Sequence, residues 1–412
     1  MKDFEKKARA YALKNAIAHE GKSQQGSVIS ALFNEGLKRS EVGKYAKKIS
    51  EIVNNVNSIS LEEQEKEFDF LGELVSEREG REGLPELPNA KKGKVIMRFA
   101  PAPSGPMHLG HIITGMPSSL YIKKYGGKFY VRIEDTNPEK TMFGCYKDFK
   151  RDCDWLFGNV DEYIIQSDRI PVYYKYAGVL MKKGAAYVCS CSPEKFKESV
   201  NTKTPCPCRA NSSEENFKRW KMMLDKKGFK AGQAVVRFKT PKKYKGMENP
   251  NPAMRDYPLA RIINVKHPRQ KNKYRVWPLM HLAVPVDDIE YKMTHILRAK
   301  EHMDNAKRQK MFYEVLGLGK KFPWTTFLGR FKFLDIPLSK RKIVSAIESG
   351  EFSGWEDERL PTIFALKKRG YKPIAFERFA EKRGLSNADR VLLSKDLFNI
   401  LDSFNKSSTD KR

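Results

Sequence analysis

Residues 98–111 read RFAPAPSGPMHLGH, a set of residue types suited to phosphate. The Pro- and Gly-rich stretch lets backbone approach a ligand, and Gly110 leaves room for an adenine or ribose. His108 and His111 can donate to phosphate oxygens as charge builds during a displacement. They sit where a helix is expected to start, and helix N-terminal amides attract the same group. No covalent step by the protein is required. Two packed histidines would write the same H-x-G-H, so the string alone leaves that reading open, and a zinc pair lacks a third ligand nearby. A second constellation is Cys189-Ser-Cys191 and Cys206-Pro-Cys208, two C-x-C pairs fourteen residues apart. Four thiolates at this spacing can close a tetrahedral zinc site that cross-links a segment too short for its own core. Such a site would be structural, because four sulfurs leave no open position; reduced or redox-active thiols are the alternative. Cys145 and Cys153, eight apart in FGCYKDFKRDCDWLFG, read as packed thiols.

The elements that must position these groups follow from periodicity. KVIMRF (94–99) is β-prone, the apolar-periodic stretch after His111 is helical, and KFYVRIE (128–134) is a second strand. Strand, loop, helix, strand implies parallel pairing with the ligand at the carboxyl end of the first strand. Pro117 falls inside the helix, where a kink or irregular turn is expected. Upstream, Val42, Tyr45, Ile49, Ile52 and Val56 recur three and four apart, the mark of one helix face. Domain boundaries are expected at 1–90 (helical module), 91–188 (first half of an α/β domain), 189–270 (polar, Cys-bearing insertion), 271–335 (second half) and 336–412 (basic loop, helices and a polar tail). No repeat of fixed period is present.

The 412 residues carry 78 Lys+Arg against 50 Asp+Glu, a formal +28. Self-repulsion on this scale is relieved by a polyanion, which makes nucleic acid the first partner to expect; a generally lysine-rich proteome would give the same balance. An apolar content of 40% excludes a disordered or collagen-like chain. No run approaches the ~18–20 consecutive apolar residues of a bilayer span. Charges are scattered through MKDFEKKARAYALK, where a signal peptide would be apolar. A soluble cytoplasmic protein without a membrane partner is expected.

RFAPAPSGPMHLGH resembles the HIGH signature of class I aminoacyl-tRNA synthetases. Further blocks, in order, are similar to the archaeal and eukaryotic type of the glutamyl-tRNA synthetase family: RIEDTNPEK, QSDRIPVYYKYAGVLMKKGAAYVCSC, NPAMRDYPLARI, VDD with THILRAKEHMDN, LSKRK and GWEDERLPTIFALKKRG. The resemblance implies an α/β fold: a Rossmann-like parallel sheet with an inserted acceptor-binding domain and helical N- and C-terminal modules. It also implies a ligase that forms an aminoacyl-adenylate from ATP, accompanied by Mg2+, and glutamate, then acylates the 3′ end of tRNA.

Carried over by motif, His108, His111 and Lys340 are catalytic, and Pro101, Gly105, Gly110, Ser339 and Arg341 contact ATP. Lys340 corresponds to the mobile KMSKS loop, although LSKRK alone would pass for a basic surface loop. Arg98 would grip the substrate's side-chain carboxylate, Glu134 its α-amino group, and Arg298 would form a further contact to the acid. Ala102 stands where the family has a polar residue, and Leu279-Met280 where many members have Thr-Tyr, which removes directional contacts from the pocket. Lysines in PKKYKG and in 218–230 correspond to the surface that holds the tRNA acceptor end. The family's β-barrel anticodon domains are not recognisable in the sequence, so a separate anticodon-binding partner is an expectation. The alternatives are glutamyl transfer to a modified tRNA base and an inactive tRNA-binding paralogue.

Overall fold

A computed structural model describes residues 3–76, 83–336 and 340–406. The chain divides into two compact units, Met1–Gly80 and Arg81–Arg412. The first consists of α1 (Phe4–Ile17), α2 (Gln25–Leu32), α3 (Val42–Ser58) and α4 (Leu61–Leu71). Small Ala8, Ala12 and Ala16 on α1 bury completely with Leu32, Ile49 and Val56, the last two from the periodic stripe of α3. A capping box opens α4: the Glu63 amide donates to Ser60 Oγ, and the Ser60 amide donates to Glu63 Oε2 at 2.8 Å.

The second unit begins with β1 (Val95–Phe99), α5 (Leu109–Tyr125), β2 (Gly127–Ile133), α6 (Cys145–Phe157) and β3 (Glu162–Ile165). The three strands pair in parallel in the order of the sequence. Gly127 is required at the start of β2: its φ is +123°, and a Cβ there would lie 1.9 Å from the Val95 carbonyl oxygen. Helix α7 (Ile170–Lys182) leads to a four-stranded antiparallel sheet of β4 (Ala186–Cys189), β5 (Val235–Phe238), β6 (Pro258–Ile262) and β7 (Val276–Pro278). Helices α8 (Pro193–Asn201) and α9 (Ser213–Leu224) fill the β4–β5 connection.

The chain continues through α10 (Met280–Glu290), β8 (His295–Ala299), α11 (Met303–Val315) and β9 (Trp324–Leu328), with β8 and β9 parallel. Thr294 joins this pair to β1: its amide donates to the Ile96 carbonyl at 3.0 Å, and its Oγ1 accepts from the Ile96 amide at 2.9 Å. Beyond lie β10 (Phe331–Phe333), α12 (Lys340–Glu348), α13 (Ile363–Lys368), α14 (Pro373–Arg383), β11 (Arg390–Leu392) and α15 (Ser394–Lys406).

Helix α5 runs through Pro117 without interruption, so of the kink or irregular turn expected there the irregular turn does not occur. Proline removes one helical hydrogen bond, but the helix is buried along most of its length, and Ile112 and Ile113 share a core with Phe379 and Ala380 of α14. Packing on this scale outweighs a single bond. Among the described residues, no helix is long and apolar enough to cross a membrane.

Candidate active site and metal centre

The start of α5 is built by its own histidines. His108 Nδ1 accepts from the Gly110 amide and His111 Nδ1 accepts from the His108 amide, both at 3.1 Å. An acceptor Nδ1 places the proton of each neutral ring on Nε2, so both imidazoles are N–H donors through that atom. Burial holds them neutral: His108 is lowered to about 4, and His111 is also lowered, first by burial and then by its neighbour His108. A Cβ on residue 110 would come within 2.8 Å of the His108 ring, which is why glycine stands there.

The first amides of the helix are already engaged. Leu109 N donates to the Pro361 carbonyl at 3.0 Å, Gly110 N to His108, and His111 N to the His108 carbonyl at 2.8 Å. The expectation that these amides meet phosphate is therefore corrected: the imidazole N–H groups and the helix dipole remain for that task. The segment that receives Leu109 comes from GWEDERLPTIFALKKRG, and Ile363 N returns the bond to Met107 at 2.8 Å. The Pro-rich loop is held by Glu134 N and Met142 N, which donate to the carbonyls of Pro101 and Pro103, each at 2.9 Å.

These residues face a cavity of about 470 Å³, whose lining brings together Arg98, Pro101, Ala102, His108, Gly110, His111, Glu134, Met280 and Arg298. Gly105 lies in a bend of the loop and is not among the lining residues. Ser339 lies outside the described residues, as do the side chains of Lys340 and Arg341, whose backbone opens α12.

Charge is concentrated beneath the cavity. Asp288 accepts from Arg132 Nη1 at 2.5 Å and lies 3.4 Å from Arg98 Nε, while Arg132 also reaches Glu134 at 3.0 Å. Burial works to raise Asp288, but Arg132 and Arg98 outweigh it and hold the carboxyl below its ordinary value. Arg132 takes the larger share, so burial still leaves Arg98 lowered despite Asp288. The adjacent Asp287 is a closed structural knot, accepting from Arg169 Nε (2.7 Å), Gln166 Nε2 (2.8 Å) and the Tyr173 hydroxyl. Arg298 is lowered to about 10, first by burial and then by Arg98.

Arg132, Asp288 and Gln309 gained no role from the sequence. Two adjacent aspartates within the apolar run of α10 were the available signal, since carboxylates that bury almost always have partners.

The four cysteines converge. Each Sγ lies within 4.8 Å of the other three, with Cys189–Cys206 and Cys191–Cys208 at 3.8 Å. A tetrahedral site with Zn–S of about 2.3 Å has sulfur–sulfur edges of about 3.8 Å, so the donor set fits zinc. Asp256 staples the surrounding turns by accepting from Arg209 Nε (2.7 Å), the Tyr187 hydroxyl (2.9 Å) and Thr240 N (2.8 Å). Cys145 and Cys153 are buried within the core around α6, apart from this cluster.

The family profile described as tRNA synthetases class I (E and Q), catalytic domain, matches residues 94–405. The glutamate–tRNA ligase of Methanocaldococcus jannaschii is 40% identical over 409 residues, covering 99% of this chain and 71% of the relative. That of Pyrococcus horikoshii is 43% identical over 408 residues, covering 96% and 69%. Among solved structures, a glutamate tRNA ligase from Elizabethkingia meningosepticum, in complex with its amino acid, is similar in fold. Its TM-score is 0.54 at 20% identity, covering 76% of this chain and 69% of that one. The chain belongs to the class I tRNA synthetases of the E and Q group.

Proposed function

We propose that this chain is a glutamate–tRNA ligase: it activates glutamate with ATP to glutamyl-adenylate and transfers the acyl group to the 3′ end of tRNA(Glu). The observation that carries the reading is one cavity in which the donors His108 and His111 face the same space as Arg98, Arg298 and Glu134. Phosphate-handling and acid-handling groups on one cavity suit a reaction that joins the two. The named relatives, glutamate–tRNA ligases, support it.

In this reading the α-carboxylate of glutamate attacks the α-phosphorus of ATP and pyrophosphate leaves. The two Nε2–H groups donate to the phosphate oxygens where charge develops. Glu134 receives the α-ammonium, and Arg98 and Arg298 receive the side-chain carboxylate, a match for their planar fork. Lys340, with Ser339 and Arg341, stabilises the departing pyrophosphate, Pro101 and Gly110 line the nucleotide on a loop whose bend at Gly105 lets the backbone approach ATP, and Mg2+ accompanies ATP as part of the substrate. A hydroxyl of the terminal ribose then attacks the acyl carbon and AMP leaves.

The insertion at 189–270 holds the acceptor end through Lys242, Lys243 and Lys245 and the lysines of 218–230, and Cys189, Cys191, Cys206 and Cys208 bind a structural zinc. The assignments 1–90, 91–188, 271–335 and 336–412 complete the division, with an anticodon-reading partner and a cytoplasmic setting as further parts of the proposal. Ala102 and Met280 leave recognition to the charged residues.

Glutamate-dependent ATP/pyrophosphate exchange, measured with and without tRNA, tests the reading, and no exchange under either condition rejects it. An alkali-labile ester at the terminal ribose is the expected product; a stable linkage at an internal base would replace the second step.

A further inference from the structure

The guanidinium of Arg298 has a neutral partner. Its Nη1 donates to Gln309 Oε1 at 2.5 Å, and both residues are buried, 7% and 2% exposed. Among the described residues Arg298 makes no ion pair; Asp288 and Glu134 act on it from farther away and are already engaged by Arg132. Four guanidiniums, of Arg98, Arg132, Arg169 and Arg298, thus face three carboxylates, of Glu134, Asp287 and Asp288, with Arg132 touching all three acids. One positive charge is in surplus at the cavity wall. A carboxamide oxygen can fix a guanidinium without cancelling that charge, whereas a carboxylate in its place would cancel it. Among the described residues, the second polar atom of Gln309, its Nε2, and the fully buried Tyr313 hydroxyl one turn along α11 find no partner. Among the described residues Arg298 is thus the one hydrogen-bond partner of the Gln309 amide.

We propose that Gln309 is a positioning residue that holds Arg298 toward the cavity and, by being neutral, keeps the surplus charge that selects an amino acid with an anionic side chain over its amide. The inference rests on the cavity being the amino-acid pocket. It assigns the choice between acid and amide partly to a side chain that touches no substrate.

The test uses the full chain with Gln309→Glu, which changes shape little and adds a carboxylate, and Gln309→Leu, which removes the acceptor and adds none. Affinities for glutamate and glutamine are read by calorimetry, and KM values for glutamate and ATP by pyrophosphate exchange. Gln309→Glu should weaken glutamate about fiftyfold, on the scale of a cancelled buried charge contact. It should also cut the preference for glutamate over glutamine at least about tenfold and leave the KM for ATP within about twofold. Gln309→Leu should weaken glutamate about tenfold, the scale of one charge-assisted hydrogen bond, with the preference kept. Equal changes for glutamate and ATP, or an unchanged preference in Gln309→Glu, would overturn the proposal. Should that variant not fold, unaltered glutamate affinity in Gln309→Leu would overturn it instead. Failure of the unmodified chain to bind or exchange with glutamate defeats the pocket reading and this inference together; an active parent with insensitive variants defeats the inference alone.

Discussion

Two places in the second unit gather like groups that ordinarily avoid one another. Around Cys206 four sulfurs lie within 4.8 Å; around Asp288 the guanidiniums of Arg98 and Arg132 share one carboxylate, with Arg298 close behind. The first set has no cation among its members, and the second has one too many. Each is a polar cluster that its own protein atoms leave unfinished, which distinguishes both from Asp287, whose donors complete it. In the proposed function a metal cation completes the thiols and an acid completes the arginines, each opposite in sign to the charge it meets.

The sharpest way to break this comparison is at the sulfurs. Cys206→Ser with Cys208→Ser should abolish metal binding, whose apparent free energy in small zinc modules is about 10 kcal/mol. Elemental analysis should fall from one zinc per chain to none, and amide protection over 189–210 should collapse. A strong chelator should weaken tRNA binding more than ATP binding, and equal loss of both would contradict a local structural metal.

Next come the arginines. Asp288→Asn leaves two buried cations without their shared partner and should cost about 3–5 kcal/mol of stability in denaturant titrations. Arg298→Ala should leave stability nearly unchanged while removing glutamate binding; equal destabilisation by both would erase the distinction between a completed pair and a waiting charge. His111→Ala, and likewise Lys340→Ala, should slow adenylate formation about a hundredfold, or ~3 kcal/mol, with unchanged rates in both contradicting the site.

The smallest effect is in pH. Because folding lowers the His108 and His111 values below 6.5, the unfolded chain binds protons first as the pH falls. Their contribution to stability is therefore full above about 6.5; that of His108 is lost between there and about 4, and that of His111 is lost as the pH falls further below 6.5. His111→Gln should flatten that slope in urea titrations across this window.

Much of the site was legible because it is local. The Pro-rich loop, the two histidines and Gly110 lie within one short run, and the C-x-C pairs encode their own turns. Of the residues that went unread, Gln309 acts on Arg298 only 11 positions away, but Asp288 acts across long separations. Arg98 meets Asp288 across 190 positions and Arg132 meets it across 156, and spacing along the chain carries no record of such pairs. β11 was missed for the same reason: Arg390–Leu392 becomes a strand by pairing with Phe331–Phe333, and its three residues have no periodicity of their own. At Pro117 the helix continues where a short irregular turn was one expectation, because packing that only the folded chain reveals holds it together.

The paired bonds between Met107 and Ile363 and between Leu109 and Pro361 set a lower limit on any working fragment. A piece ending at β9 would contain every cavity-lining residue up to His302 and still leave the first turn of α5 unanchored. Minimal versions, split reporters or circular permutants of this enzyme must therefore keep residues 361–363 joined to, or reassociated with, the histidine loop.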